Sequence, residues 1–327
     1  MQISSSLHLA ENLFDPKALP AGPTRQGFGK GLLEAAKRND KIVGLCADLT
    51  ESTQMHLFAE AFPERFIQVG VAEQNLATVA SGMAAEGKIA FCSSYAAFSP
   101  GRNWEQIRTT ICYNDQNVKI IGSHTGLTVG PDGATHQALE DIALMRVLPN
   151  MIVVSPADVH QAYAATLAIA EITTPCYLRL SREKSPIFTT AETPFTLGKA
   201  QVLTEGTDVT LIGTGPVLYE ALRATQLLDG KVSVEVINMH TIKPFDVETV
   251  VASARKTGAV VTLEEHQVVG GLGGAVAEVL AEHAPTKMAR IGMQDRFGES
   301  GKSAELWKHF GFSPEHIAEV ITQIIKK

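Results

Sequence analysis

Short apolar runs alternate along the chain with stretches of helical period. A helical stretch from about Arg25 to Arg38 is followed by an apolar run at Lys41–Leu49. Further runs lie at Arg65–Gly70, Lys88–Ser94, Val118–His124, Met151–Pro156 and Cys176–Ser181. Between them, Ala72–Glu86, Asn103–Tyr113, Gln137–Val147 and Asp158–Ile172 read as helices. The apolar runs are nearly unbroken rather than alternating, as expected of strands in a parallel sheet covered by helices on both faces. The pattern predicts an α/β domain of about 160 residues.

The stretch Arg182–Leu197 is rich in Thr, Pro and charge, and reads as a linker. A second α/β set follows, with strands expected at Asp208–Gly213, Val232–Met239, Ala259–Glu264 and Met288–Met293. Its helices are expected at Leu218–Leu228, Val247–Lys256 and Gly274–His283, with two more closing the chain. In the last of these, Ser313 is a plausible N-cap and Pro314 suits the first helical position. The expected organisation is an N-terminal arm at 1–22, a first domain at 23–187, a linker at 188–198 and a second domain at 199–327. Each domain should be an open, mostly parallel sheet flanked by helices.

Composition narrows the function classes. Hydrophobic residues make up 45% and charged residues 19% of the 327 residues, as in ordinary globular proteins. The net charge of −7 comes without a basic block, which argues against nucleic acid as a partner. No apolar run reaches the roughly 18 residues of a membrane span. The segment Met1–Gly22 lacks the basic start and apolar centre of a signal peptide and reads as an extended native start, so a cytoplasmic location is expected. Cys46, Cys92, Cys112 and Cys176 form no CxxC pair, and core packing is their expected role.

In open parallel sheets, ligands bind at the carboxyl ends of the strands. Three loops there carry chemistry. Gly70-Val71-Ala72-Glu73-Gln74-Asn75 puts a carboxylate in the first turn of a helix, although a solvated first-turn glutamate is the plainer reading. Phe91–Gly101 holds Tyr95 and Phe98 at i, i+3, able to form one aromatic wall or simply to fill a core. Ser123-His124-Thr125-Gly126 is followed by Gly130-Pro131-Asp132-Gly133-Ala134-Thr135-His136-Gln137. Either histidine alone would read as structural. Two with an aspartate, in a glycine-rich loop that lets backbone approach a ligand, point to proton handling and oxygen binding.

Together these loops resemble the pyrimidine-binding half of transketolases, which use thiamine diphosphate. The matching runs are Gly-Val-Ala-Glu-Gln-Asn at 70–75, Phe-Ser-Pro-Gly-Arg-Asn-Trp-Glu-Gln-Ile-Arg at 98–108 and Gly-Pro-Asp-Gly-Ala-Thr-His-Gln at 130–137. Cys-Ala-Asp-Leu at 46–49 and Tyr-Leu-Arg-Leu-Ser-Arg at 177–182 add to them. Glu-Glu-His at 264–266, with Gly270–Gly274, resembles the family's C-terminal domain. The resemblance covers nearly the whole chain from Arg25.

The resemblance implies roles residue by residue. Glu73 corresponds to the glutamate that bonds the aminopyrimidine N1′ and so activates the cofactor. A protonated carboxyl would serve there, and burial would work towards that form against the helix start. Tyr95 and Phe98 correspond to residues that pack on the pyrimidine; Gly101 stands where an aromatic residue is frequent. Leu49 would help hold the bent cofactor, with Asp48 beside it facing the cofactor or merely forming a turn. His136 would contact substrate near the reacting carbon, and Asp132 would read a sugar hydroxyl. His124, Arg25, Ser52 and Arg182 would clamp the substrate phosphate. Arg179, His240 and His266 are expected to be structural, and the second domain to stabilise a dimer.

The family's diphosphate and metal signature is Gly-Asp-Gly with a later Asn, and the sequence has no such pair. Mg2+ or another divalent cation would then be bound mainly by a separate N-terminal transketolase subunit, with sugar phosphates as substrates. Family symmetry suggests a heterotetramer. The resemblance thus implies a split transketolase of the pentose phosphate type, moving a two-carbon ketol unit from ketose phosphate to aldose phosphate. A beta-type subunit of a 2-oxo acid dehydrogenase, a deoxyxylulose phosphate synthase-like chain, a split transketolase for an unusual sugar phosphate and a non-catalytic binding paralogue are the alternatives. A dinucleotide site at Gly271-x-Gly273 is a poor match, because Val276 takes the third glycine position.

Overall fold

The computed structural model describes residues 2–326. Met1 and Lys327, the outer limits expected for the arm and the second domain, lie outside the described residues. The chain opens with β1 (Gln2–Ile3), a 3-10 turn at Ser5–Leu7 and β2 (Ala21–Gly22). The first α/β set begins with α1 (Thr24–Arg38), β3 (Ile42–Cys46), α2 (His56–Ala61), β4 (Phe66–Gln68), α3 (Glu73–Ala85) and β5 (Ile89–Tyr95). It continues through α4 (Trp104–Gln106), β6 (Val118–Ser123), α5 (Asp141–Arg146), β7 (Ile152–Val154), α6 (Val159–Ala170) and β8 (Cys176–Arg179). β9 (Ser185–Pro186) and β10 (Gln201–Glu205) lead to β11 (Val209–Gly213), α7 (Leu218–Leu228), β12 (Val234–Asn238), β13 (Thr241–Lys243) and α8 (Val247–Thr257). The chain closes with β14 (Ala259–Gln267), α9 (Leu272–His283), β15 (Lys287–Met293), α10 (Ser303–His309) and α11 (Pro314–Lys326).

The first sheet has seven strands in the order β13-β7-β8-β6-β5-β3-β4, parallel except at β13. Its strands are apolar on both faces for a visible reason. Ile42 and Cys46 of β3 pack with Phe28, Leu32 and Phe58, whereas Val43 and Leu45 pack with Leu76, Ile107 and Ile111. Successive side chains point to opposite faces, and helices cover both. The second sheet runs β1-β10-β12-β11-β14-β15, with β10 antiparallel to β1 and β12 and the rest parallel. β2 and β9 form a separate antiparallel pair.

Local signals account for several boundaries. Asp158 caps α6 by accepting from Gln161 N at 3.1 Å, and the same carboxylate takes Phe188 N, Thr189 N and Thr189 Oγ1, which fixes the linker. Gly258 ends α8 at φ +69°, a left-handed position suited to glycine. α11 begins at Pro314 as expected, with Ser313 Oγ accepting from His316 N at 3.4 Å. Ile317, Ile321 and Ile324 then form its buried stripe.

Four expectations need correction. The arm is not merely extended: Leu7, Leu13 and Leu19 are buried in the second domain's core, and β1 pairs with β10. The segment Asn103–Tyr113 is not one α-helix, since α4 passes into a π-helix at Ile107–Cys112. The wider turn lets Ile107, Ile111 and Cys112 all reach the core. The helix expected from Gln137 starts only at Asp141, because the backbone before it is engaged elsewhere: Gly126 N donates to Ala138 O at 2.9 Å, and Ala138 bridges to Thr125. Finally, the two sequence domains interlock: β13, from the second, extends the first sheet beside β7.

Candidate active site

The carboxyl ends of β8, β6, β5, β3 and β4 lie in that order along the first sheet, and the expected chemical residues follow them in a row. Gly70, at φ +72°, turns the chain after β4 into α3. Glu73 is the first residue of α3 and only 2% exposed, which rules out the solvated reading. Its Oε2 lies 3.3 Å from Arg102 Nη1, and its backbone O accepts from Asn103 Nδ2 at 2.8 Å. The helix start and Arg102 surround the carboxyl with positive charge.

Tyr95 and Phe98 do form one wall, with ring centroids 6.3 Å apart and planes at 16°. Both loop histidines come to it. His124 stacks on Tyr95 at 3.8 Å, and His136 meets Phe98 edge-on at 5.4 Å. Thr135 Oγ1 lies 2.9 Å from His136 Nδ1.

Arg25, near the start of α1, reaches across to the end of β6. Its Nη1 donates to Ser52 O at 2.7 Å and lies 3.3 Å from His124 Nε2. Arginine can only donate, so His124 Nε2 accepts and Nδ1 carries the proton towards Ser123 Oγ at 2.9 Å. Burial, then Arg25, Arg182 and His136, pushes the His124 pKa down to about 3, which keeps the ring neutral. Arg25 Nε is buried and, among the described residues, has no hydrogen-bond partner. Arg182 stands 3.8 Å from Asp132 and donates to Val129 O.

The remaining expected residues are placed less directly. Leu49 is half-buried and packs against the core on the α1 side of the sheet. Asp48 is exposed at φ +63°, and its N–H donates to Gln68 Oε1 at 2.7 Å, which is the geometry of a turn residue. Ser52 contributes its carbonyl to Arg25. At Gly101 a Cβ would lie 2.1 Å from Ala97 O, so this backbone leaves no room for an aromatic side chain. Arg179 is structural as expected, buried in an ion pair with Asp141 at 2.8 Å. His240 and His266 are fully buried, and burial pushes both pKa values down to about 4.

Two residues of the site escaped the sequence reading. Arg102 and Asn103 lie within the run 98–108, and only the fold shows them closing on Glu73. A buried carboxyl linked through Arg102 to a flat aromatic wall suits the polar edge and faces of an aminopyrimidine. The residues brought together here fit the pyrimidine end of thiamine diphosphate; among the described residues, no three His, Cys, Asp or Glu side chains gather as a metal-ligand set.

Comparison with known proteins agrees in both halves of the chain. Residues 22–187 match the transketolase pyrimidine binding domain, and residues 198–317 match the transketolase C-terminal domain. A solved structure described as a split gene transketolase, inactive beta4 tetramer, has a TM-score of 0.87 and 46% identity, covering 93% of this chain and 98% of that one. The 6-deoxy-6-sulfo-D-fructose transketolase subunit of Clostridium sp. (strain MSTE9) is 43% identical over 90% of this chain and 92% of its own length. An apulose-4-phosphate transketolase subunit from Phocaeicola vulgatus is 36% identical, covering 93% of this chain and 97% of its own length. No helix among the described residues is long and apolar enough to cross a membrane.

Proposed function

The chain belongs to the transketolase family, and we propose that it is the C-terminal subunit of a split transketolase that works only when paired with an N-terminal subunit. The observation that carries this reading is Glu73: a buried carboxyl at a helix start, paired with Arg102, whose guanidinium lies over Phe98 of the Tyr95–Phe98 wall. Relatives of nearly the same length are named as transketolase subunits, which supports the division into two chains. The diphosphate and divalent metal would be held by the partner, and two such pairs would form a heterotetramer.

Thiamine diphosphate, when bound, supplies an electron sink beside the reacting carbonyl. This chain's residues do the rest. Glu73 would bond the pyrimidine edge, and Tyr95, Phe98 and Leu49 would hold its faces. The row at the ends of β6 and β8 supplies the anion site. Arg25 offers its unpartnered Nε, neutral His124 adds no repulsion between the two guanidinium groups, and Arg182 closes the row. A ketose phosphate would sit with its phosphate there, Asp132 on a hydroxyl and His136 moving a proton near the reacting carbon. Asp48 serves a turn and takes no part in these contacts.

The reaction is transfer of a two-carbon ketol unit between sugar phosphates. A specialised sugar is a second reading, favoured by relatives named for sulfo-fructose and apulose-4-phosphate. Reconstitution with the N-terminal subunit, thiamine diphosphate and Mg2+, followed by two-carbon transfer from xylulose 5-phosphate to ribose 5-phosphate, tests the main reading. Transfer seen only with another ketose would favour the second. No transfer with any ketose, phosphorylated or sulfonated, would reject both.

A further inference from the structure

The loop carrying Asp132 and His136 takes its shape from the second domain. Thr128 N donates to Glu265 Oε1 at 2.7 Å, and Trp307 Nε1 donates to the same oxygen at 2.9 Å. Glu265 belongs to β14 and is only 3% exposed. At Gly126, φ +75°, a Cβ would come 2.6 Å from Glu265 Cδ, so the loop has been cut back to admit this side chain. Ser303 Oγ donates to Thr128 O at 3.2 Å, and Gln137 Nε2 donates to Glu299 O at 2.9 Å. Glu265 is held in turn: Arg179 Nη2 donates to its carbonyl at 2.9 Å, and Arg179 pairs with Asp141. A buried carboxylate oxygen shared by N–H donors from a substrate-side loop and from α10 is a costly arrangement unless it fixes something.

Resting on the functional reading above, we propose that Glu265 is a positioning residue, which through Thr128 holds the 126–136 loop in the shape that receives the sugar. The second domain then serves turnover as well as assembly. Glu265 acts through the backbone of Thr128. A purely structural role would lower stability and leave substrate recognition in the surviving folded enzyme unchanged.

The test uses the reconstituted complex with Glu265→Ala, Glu265→Gln and Trp307→Phe. Glu265→Ala should raise KM for the ketose phosphate about tenfold and lower kcat by less than that, through His136 on the same loop, while thiamine diphosphate affinity stays near parental. Glu265→Gln should restore most of that loss, because its amide oxygen still accepts both donors. Trp307→Phe removes one donor and should give an intermediate KM, which decides the matter if Glu265→Ala does not fold. Hydrogen exchange at 126–136 should quicken in Glu265→Ala and stay parental at 70–99. Unchanged exchange in the loop, or a loosened loop with unchanged KM, overturns the proposal. A parental complex without two-carbon transfer would reject the functional reading instead. Protection of 126–136 by added fructose 6-phosphate then replaces KM as the readout: protection lost in Glu265→Ala supports the proposal, and equal protection overturns it.

Discussion

Arg102 closes over Glu73: its Nη1 stands 3.3 Å from Glu73 Oε2 while its guanidinium carbon lies 5.3 Å from the centre of the Phe98 ring. A planar cation thus meets both surfaces assigned to the aminopyrimidine, the carboxyl and the ring face. The two partners differ in freedom. The Arg102 side chain is 56% exposed, and Glu73 is enclosed, so Arg102 is the one able to move aside. Competition of this kind predicts that Arg102→Leu tightens thiamine diphosphate binding in the reconstituted complex. The gain should be only about two- to fivefold, because an ion pair with one exposed end is worth little. Cofactor titration of activity reads it. Weaker binding would show instead that Arg102 holds the cofactor.

Glu73 itself should be indispensable for turnover and dispensable for folding. Glu73→Ala in the complex should lower kcat by about 10²–10⁴-fold, the usual range for a lost proton-handling group. Circular dichroism and assembly with the partner should be unchanged, since among the described residues Glu73 Oε2 bonds Arg102 alone, whose side chain is largely exposed. Near-parental kcat would remove Glu73 from the catalytic assignment.

The elements and the site loops were legible because their signals are local. α7 falls at Leu218–Leu228 as the apolar period indicates, and α11 begins at its Ser-Pro pair. Tyr95 and Phe98 share a wall because i, i+3 spacing puts them there. What could not be read rests on distant contacts. Glu265 lies 137 residues from Thr128, and nothing around either residue names the other. Two acids inside the apolar run of β14 were the available signal, since buried carboxylates need partners. The same holds for β13, whose place beside β7 depends on how the domains meet, and for Arg102, which becomes part of the site only after the 98–104 turn folds back on α3.

The buried pair Asp141–Arg179 lies within the first domain and holds the arginine that reaches the second, and its loss should be felt in stability. Arg179 Nε donates to Asp141 Oδ2 at 2.8 Å, Tyr177 OH donates to the same oxygen at 2.7 Å, and Arg179 also holds the Glu265 carbonyl. Asp141→Ala would leave a buried guanidinium without its counter-charge. Breaking such a pair costs about 3–5 kcal/mol. Urea unfolding should show the loss as a lower midpoint with little change in slope. A variant within about 0.5 kcal/mol of the parent would mean that the pair contributes nothing net.

His240 gives the chain a pH-dependent stability whose sign is fixed by its surroundings. The ring is fully buried, lies 4.4 Å from the Phe195 ring at a tilt of 32°, has its Nδ1 2.9 Å from Thr241 Oγ1, and has no partner for Nε2 among the described residues. Burial pushes its pKa down to about 4 from an ordinary 6.5. Above pH 6.5 both folded and unfolded rings are neutral, and the group makes stability no more pH-dependent. As pH falls from 6.5 towards 4, the unfolded ring takes a proton that the folded one refuses, so stability drops. His240→Asn keeps an amide near Thr241 and cannot titrate in this range. The variant carries a fixed packing cost at neutral pH, and its deficit should shrink as the parent weakens, by up to about 3 kcal/mol at pH 4. The other buried groups, His124, His266, Glu264 and Glu265, titrate in both proteins and cancel in the difference. Urea unfolding of parent and variant at a series of pH values reads the gap directly. Curves that stay parallel from pH 7.5 to 4 would show that the folded His240 protonates as freely as the unfolded one.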